Sequence, residues 1–274
     1  MGGQIHVKIK SNLKCFLVTG TGRCGTKLFS KLLSLGRDSI CEHEKIFRHE
    51  SMVRFHREND FSWYLDDIHL RFIPTVELYN RQGKIYGVSS GHMYFSIPYL
   101  YRILSDHARF ILLVRSPEEF VRSALARGFF DSSHPHPCVQ ILPSREDTIL
   151  GRWDVASPFE KNLWYWALVN QFVISQFQVM PERIYRIVRI EDVNEELVNE
   201  LCDFLELKDV KEEHIRTVLA QRVNASPGLG DDSDLNPYSQ PIILGPKEEW
   251  SDCQLSLLEQ YAGRLWRDLY GSAV

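Results

Sequence analysis

The sequence predicts an α/β fold in which a parallel β-sheet is flanked by helices on both faces. The first observation is that apolar runs of strand length alternate along the chain with segments of helical periodicity. The second is that helices separate the strands, which favours a parallel sheet covered on both sides. The third is the composition: of 274 residues, 44% are hydrophobic and 25% are charged, as in a globular protein with a substantial core.

The predicted elements follow one another without a repeat or a low-complexity linker. Strands are predicted at 15–19, 38–42, 84–90, 109–115 and 183–191. Helices are predicted at 26–35, from Pro117 onward, and at 158–178, 194–205, 211–222 and 252–269. Pro117 opens its helix with two glutamates in the first turn, where the helix dipole favours negative charge. We expect residues 1–274 to form a single domain.

Charge and cysteine usage exclude several classes of partner. The formal net charge of -4 argues against general nucleic-acid binding. No apolar stretch approaches the roughly 20 residues of a membrane span, and residues 1–14 lack the apolar core of a signal peptide. The six cysteines show no paired spacing, so we expect free thiols, a cytoplasmic location and no membrane association.

Polar clusters follow several of the predicted strands. They lie at 20–27, 42–44, 90–94 and 115–123, each after an apolar run. Ligands of parallel α/β sheets bind beyond the carboxyl ends of the strands. We therefore expect these clusters to form one site.

The first cluster, GTGRCGTK at 20–27, resembles a nucleotide phosphate loop with one change. Gly20 and Gly25 have the separation of the ATP-binding pattern G-x-x-x-x-G-K-[ST], but Thr26 precedes Lys27 instead of following it. A basic residue, Arg23, lies inside the loop. The strand, glycine loop and helix still predict a phosphate cradle at residues 22–27, in a P-loop-like sheet. The hydroxyl that ligates magnesium is missing from its usual slot, so we expect no metal.

Two motifs together resemble those of the sulfotransferases. The loop Arg23-Cys24-Gly25-Thr26-Lys27 is similar to the 5′-phosphosulfate loop [KR]-S-G-T-[TS] of that family. The stretch RSPEEFVRS at 115–123 matches the family's 3′-phosphate motif R-[NS]-P-x-[DE]-x-x-x-S. The resemblance covers roughly residues 14 to 270. Cys24 and Lys27 depart from the pattern, and the second departure removes a hydroxyl from the phosphate site.

The resemblance implies a donor and residues that hold it. The donor is 3′-phosphoadenosine-5′-phosphosulfate (PAPS), and the product is adenosine 3′,5′-bisphosphate (PAP). Arg115 and Ser123 would bind the 3′-phosphate, since a guanidinium at a strand end and a hydroxyl in the following helix can share one phosphate. Arg222 and Asn224 are similar to residues of a C-terminal lid over that phosphate, and Arg189-Ile190-Glu191-Asp192 resembles the family's R-Y-E-D-L strand end.

The reaction needs a cation and a base. Arg23 is the candidate for stabilising charge on the leaving phosphate oxygen. His43 and Glu44, at the end of the second strand, are candidates for the general base. His92, after the third strand, is the other candidate, and the residues alone do not separate the three.

The acceptor is a small molecule that the sequence does not identify. The segments 45–82 and 129–155 are long and interrupt the strand–helix alternation. We therefore expect them to be irregular and to line the acceptor pocket. Their carboxylates and aromatic rings suit a cationic natural product, for example a guanidinium alkaloid of the saxitoxin type modified on a hydroxyl or a nitrogen. A homodimer is compatible with the sequence.

Two other functions compete with this interpretation. One is a P-loop kinase or NTPase, which needs a lysine directly after Gly25 and a magnesium-binding aspartate. The other is a regulator that binds PAP without turnover.

Overall fold

The computed structural model describes residues 13–131, 141–221 and 242–271 of the chain. Five strands form one sheet: β1 Cys15–Gly20, β2 Ser39–His43, β3 Ile85–Ser89, β4 Ala108–Val114 and β5 Tyr185–Arg189. Their order is β2-β3-β1-β4-β5, and all neighbours are parallel. Each strand overlaps a predicted one. The predicted α/β fold with a parallel sheet is confirmed.

Helices pack on both faces of this sheet. They are α1 Thr26–Leu32, α2 His49–Glu58, α3 Ser62–Asp66, α4 Ile73–Arg81, α5 Ile97–Leu104, α6 Pro117–Leu125, α7 Pro158–Phe177, α8 Glu195–Phe204, α9 Glu212–Ala220, α10 Asp252–Leu258 and α11 Arg264–Tyr270. A π-helical stretch, Glu259–Gly263, connects α10 to α11.

The alternation of side chains in the strands creates two apolar cores. In β1, Cys15 and Leu17 belong to a large core that also contains buried residues of α4 to α7. Phe16 and Val18 point the other way, into a smaller core shared with α1, α8 and α9. The twofold period of a strand thus explains how one sheet buries both faces.

The segment 45–82 differs from the prediction. It was expected to be irregular, but it forms α2, α3, a π-helical turn at Asp67–Phe72 and α4. Its aromatic side chains bury themselves against the large core; Tyr64 and Phe72 are completely buried. The carboxylate of Asp67, also fully buried, accepts hydrogen bonds from the backbone N–H of Arg48 at 3.0 Å and from the Ser51 hydroxyl at 2.6 Å. These contacts tie the start of α2 to the π-helical turn.

The sheet places the predicted polar clusters at one edge. Parallel strands end at the same side, so the residues after β1, β2, β3 and β4 meet there. In the part of the chain that the structure describes, no helix is long and apolar enough to cross a membrane.

Candidate functional site

The loop between β1 and α1 has an unusual backbone. Gly22, Arg23 and Gly25 have positive φ angles of 72°, 53° and 97°. Left-handed residues next to right-handed ones can form a concave group of backbone N–H donors that binds anions. Gly25 is the N-cap of α1 and supplies no side-chain hydrogen bond to the helix. The phosphate cradle at 22–27 remains a prediction, and the left-handed residues of the loop are compatible with it.

Three predicted side chains meet beside this loop. Arg23 donates a hydrogen bond from Nε to Oγ of Ser123 at 3.1 Å, although 100 positions separate the two residues. Arg115 donates from Nη1 to the backbone carbonyl of Arg23 at 3.1 Å. The structure thus brings the two sequence motifs into direct contact.

Arg115 is also held by its own helix. Its Nη2 atom donates to Oε2 of Glu119 at 3.1 Å, one helical turn away. The other oxygen of Glu119 accepts a hydrogen bond from Arg122. Ser123 is buried inside α6, whereas a quarter of the Arg115 side chain stays exposed. The guanidinium is therefore fixed and still reachable by a ligand.

Cys24 and Lys27 occupy different environments within the loop. Burial raises the pKa of the Cys24 thiol to about 11, so this side chain packs as a neutral group in the smaller core. Cys24 can thus contribute only its backbone N–H to an anion. Lys27 lies half-buried on α1.

Thr26 links the loop to the end of β2. Its hydroxyl lies 3.1 Å from Nε2 of His43, and its backbone carbonyl accepts a hydrogen bond from the Ser89 hydroxyl at 2.7 Å. Oε1 of Glu44 lies 3.8 Å from the same His43 nitrogen. The side chains of His43 and Glu44 are 26% and 34% exposed, so both can reach a molecule bound at the loop.

His92 lies deeper than His43. It is only 9% exposed, its ring centroid is 5.9 Å from that of His49, and its ring is hydrogen-bonded to the backbone of Phe47. Burial, together with the smaller effect of nearby His49, lowers the pKa of His92 to about 4. Its imidazole is therefore neutral at physiological pH, inside the protein.

The segment before His92 nevertheless packs on the loop. A Cβ atom built on Gly91 would lie 3.1 Å from the backbone nitrogen of Gly22, so a larger residue here would press on the backbone of the loop. Ser90 donates its backbone N–H to the carbonyl of Val18 at 2.9 Å. All four predicted clusters therefore belong to one edge of the sheet.

Several supporting contacts were not expected from the sequence. Tyr165 donates its hydroxyl to the carbonyl of Thr21 at 3.0 Å, and Trp166 donates its indole N–H to the carbonyl of Arg115 at 2.8 Å. A carboxylate of Glu191 accepts the backbone N–H of Ser116 at 2.7 Å. Such bonds between a side chain and a distant backbone group leave no periodic trace in a sequence.

The remaining predicted residues, Arg222 and Asn224, lie outside the described residues. Within the described ranges, no group of three or more His, Cys, Asp or Glu side chains could hold a metal ion.

Comparison with solved structures shows the class of fold. Mouse sulfotransferase SULT7A1, solved in complex with PAP, superposes with a TM-score of 0.53 at 11% identity, over 97% of this chain and 91% of that chain. The chain therefore has the sulfotransferase fold.

Two bacterial structures were also found, with TM-scores too low to add to this conclusion. The sulfotransferase domain of the olefin synthase of Synechococcus PCC 7002 has a TM-score of 0.43 and 15% identity, over 95% of this chain and 89% of that one. A sulfotransferase from Alicyclobacillus acidocaldarius has a TM-score of 0.46 and 16% identity, over 92% of this chain and 98% of that one. No protein-family model and no curated protein matches the chain.

Proposed function

We propose that the protein is a sulfotransferase that moves a sulfuryl group from PAPS to a hydroxyl or a nitrogen of a small molecule. The observation that carries this proposal is the contact of Arg23, Arg115 and Ser123 beside the glycine loop. The two guanidinium groups are permanent positive charges beside the loop, and such charges favour the binding of an anion there. The presence of PAP in the structure of the mouse sulfotransferase, which shares the fold, supports the same donor.

The residues at the loop fit a donor with two phosphate groups. The backbone N–H groups of Gly22 to Lys27 would hold the 5′-phosphate, in a loop whose left-handed residues suit an anion-binding concavity. Arg115 and Ser123 would hold the 3′-phosphate, Arg115 through an ion pair with hydrogen bonds and Ser123 through a hydrogen bond from its uncharged hydroxyl. By the resemblance of the sequence, Arg222 and Asn224 would cover that phosphate.

The transfer forms one bond and breaks another. An oxygen or nitrogen of the acceptor bonds to the sulfur, and the bond between the sulfur and the 5′-phosphate oxygen breaks, which releases PAP. The acceptor's proton passes to a base of the protein. Arg23 would stabilise the negative charge that grows on the leaving oxygen, since its backbone belongs to the loop that holds the 5′-phosphate.

Among the candidates for the base, we propose His43. Its Nε2 atom lies beside the hydroxyl of Thr26, the first residue after the loop, and part of its ring is exposed. The carboxylate of Glu44 lies beside this ring, with Oε1 3.8 Å from Nε2. His92 is a weaker choice because its ring is buried and its pKa of about 4 makes it a poor proton acceptor at neutral pH.

For the acceptor we propose a cationic small molecule, of which a saxitoxin-type guanidinium alkaloid is one example, in natural product biosynthesis. The exposed carboxylates of Glu44 and Glu50, near the end of β2, favour a positive charge there. Asp67 does not contribute, because its buried carboxylate is taken by Arg48 and Ser51. Trp63 is covered by the guanidinium groups of Arg48 and Arg54 and does not offer its faces to an acceptor.

The proposal is tested by nucleotide binding without metal. We expect PAP to raise the melting temperature in EDTA far more than ATP does with magnesium. A larger shift with magnesium and ATP would favour a P-loop kinase or NTPase. Binding of PAP without any transfer from PAPS to a broad set of acceptors would favour a regulator.

A further inference from the structure

The peptide unit between Arg115 and Ser116 is held from both sides. Its carbonyl accepts the indole N–H of Trp166 at 2.8 Å, and its N–H donates to Oε1 of Glu191 at 2.7 Å. Trp166 comes from α7, and Glu191 follows β5. This peptide unit is the point at which the chain leaves β4 and enters α6, and it sets the direction in which the Arg115 side chain leaves the sheet.

The C-terminal helix α11 completes this arrangement. The hydroxyl of Tyr270 donates to Oε2 of Glu191 at 2.9 Å, so both oxygens of the carboxylate are engaged. Burial and the negative charge of Glu191 raise the pKa of Tyr270, which keeps the phenol protonated as a donor. Trp166 is completely buried and its ring cannot turn without displacing the core.

We propose that Trp166 and Glu191 are positioning residues that orient Arg115 for the 3′-phosphate of the donor. The inference rests on the proposed function, which supplies that phosphate. Fixing the peptide unit before the donor arrives removes an ordering cost from binding. Neither residue contacts the donor in this account; both act through the backbone of Arg115.

The negative charge of Glu191 makes it possible to distinguish a positioning role from a direct electrostatic effect on the donor. A carboxylate near an anion site opposes the binding of the anion, so Glu191 can favour binding only through its hydrogen bonds. A glutamine at this position keeps an oxygen that accepts the N–H of Ser116 but loses the charge. Alanine loses both.

The experiment compares two nucleotides on each variant. PAP carries the 3′-phosphate and AMP lacks it, so a misplaced Arg115 should weaken PAP more than AMP. We expect Trp166→Phe and Glu191→Ala to weaken PAP roughly tenfold and to leave AMP within about twofold. The affinity of Glu191→Gln for PAP should stay within about threefold of that of the unmodified protein. Affinities are measured by calorimetry, with AMP titrated in competition.

Trp250→Phe is the matched control, because its indole N–H also donates to a backbone carbonyl, that of Gly245 at 3.0 Å. It should change neither affinity. Equal weakening of PAP and AMP in Trp166→Phe and Glu191→Ala would overturn the inference, since that indicates a general structural loss. So would unchanged PAP affinity in both. If Trp166→Phe or Glu191→Ala does not fold, Tyr270→Phe replaces it: it removes the hydrogen bond that holds Oε2 of Glu191 and should weaken PAP more than AMP, and an unchanged ratio of the two affinities would overturn the inference. Failure of the unmodified protein to bind PAP would instead refute the proposed function.

Discussion

Nε of Arg23 donates a hydrogen bond to the hydroxyl of Ser123, and the two residues come from opposite ends of the proposed donor site. Arg23 lies in the loop for the 5′-phosphate, and Ser123 in the helix for the 3′-phosphate. Because Arg115 also donates to the carbonyl of Arg23, a change at any of the three residues affects the others.

Replacing Arg23 by alanine is expected to lower turnover more than donor affinity. The reason is that charge on the leaving oxygen grows only in the transition state. Steady-state kinetics with PAPS, together with PAP affinity, separate the two effects. Lys31→Ala, which removes an exposed cation from the last turn of α1, the helix after the loop, is the control and should change neither. Equal losses in turnover and affinity would make Arg23 a simple binding residue.

Replacing Arg115 or Ser123 by alanine is expected to weaken donor binding. Loss of the Arg115 contact should cost about 1.5–3 kcal/mol of binding free energy, and loss of the hydrogen bond from the uncharged Ser123 hydroxyl should cost less. Calorimetry with PAP measures both. Arg102→Ala, on α5, serves as a control for the general loss of an arginine. Nucleotide affinity that survives both substitutions would show that the motif match is accidental.

His43→Ala is expected to lower turnover by roughly 100- to 10,000-fold, the usual worth of a positioned base. PAP affinity should change little by comparison, because His43 is not one of the proposed phosphate ligands. Glu44→Gln should have a smaller effect, through the orientation or the charge of His43. If His43→Ala and Glu44→Gln keep near-normal turnover while His92→Ala loses it, the base is His92. If all three variants stay active, the acceptor is a nucleophilic nitrogen whose reaction needs little assistance from a general base.

His92 is expected to make the fold sensitive to acid. Its pKa is about 4 in the folded protein and close to 6.5 when exposed, so the unfolded state binds more protons between these values. The stability that the neutral ring contributes is present above pH 6.5 and is lost as the pH falls toward 4. Melting temperatures measured across this window should fall less in His92→Asn than in the unmodified protein. The surface residue His214 provides the control variant, His214→Asn. An identical slope in His92→Asn would contradict the buried position of the ring.

The sheet could be predicted because apolar runs and helical periods alternate clearly. Strand β4 is the clearest case: the predicted strand 109–115 overlaps Ala108–Val114 almost completely. The meeting of the 20–27 and 115–123 clusters also followed, because both lie after strands of one parallel sheet. The sequence did not determine which role each side chain has in the site.

The helices within 45–82 could not be predicted, for an identifiable reason. Asp67 and Ser51 are polar residues that are fully buried because they bond to each other, and this breaks the apolar periodicity that indicates a helix. The contacts of Trp166 and Glu191 with backbone groups were invisible for a different reason. They join residues 51 and 75 positions apart through backbone atoms, which every residue carries.

The central claim is that this chain transfers a sulfuryl group from PAPS. The most direct measurement is incubation of the protein with PAPS labelled in the sulfuryl group and a metabolite extract, in EDTA, followed by mass spectrometry. We predict a product that carries one added, labelled SO₃ group, formed together with an equal amount of PAP, and absent when Arg115→Ala and Arg23→Ala are combined in one variant. PAPS that remains intact with every acceptor offered, while ATP is hydrolysed once magnesium is supplied, would contradict the claim.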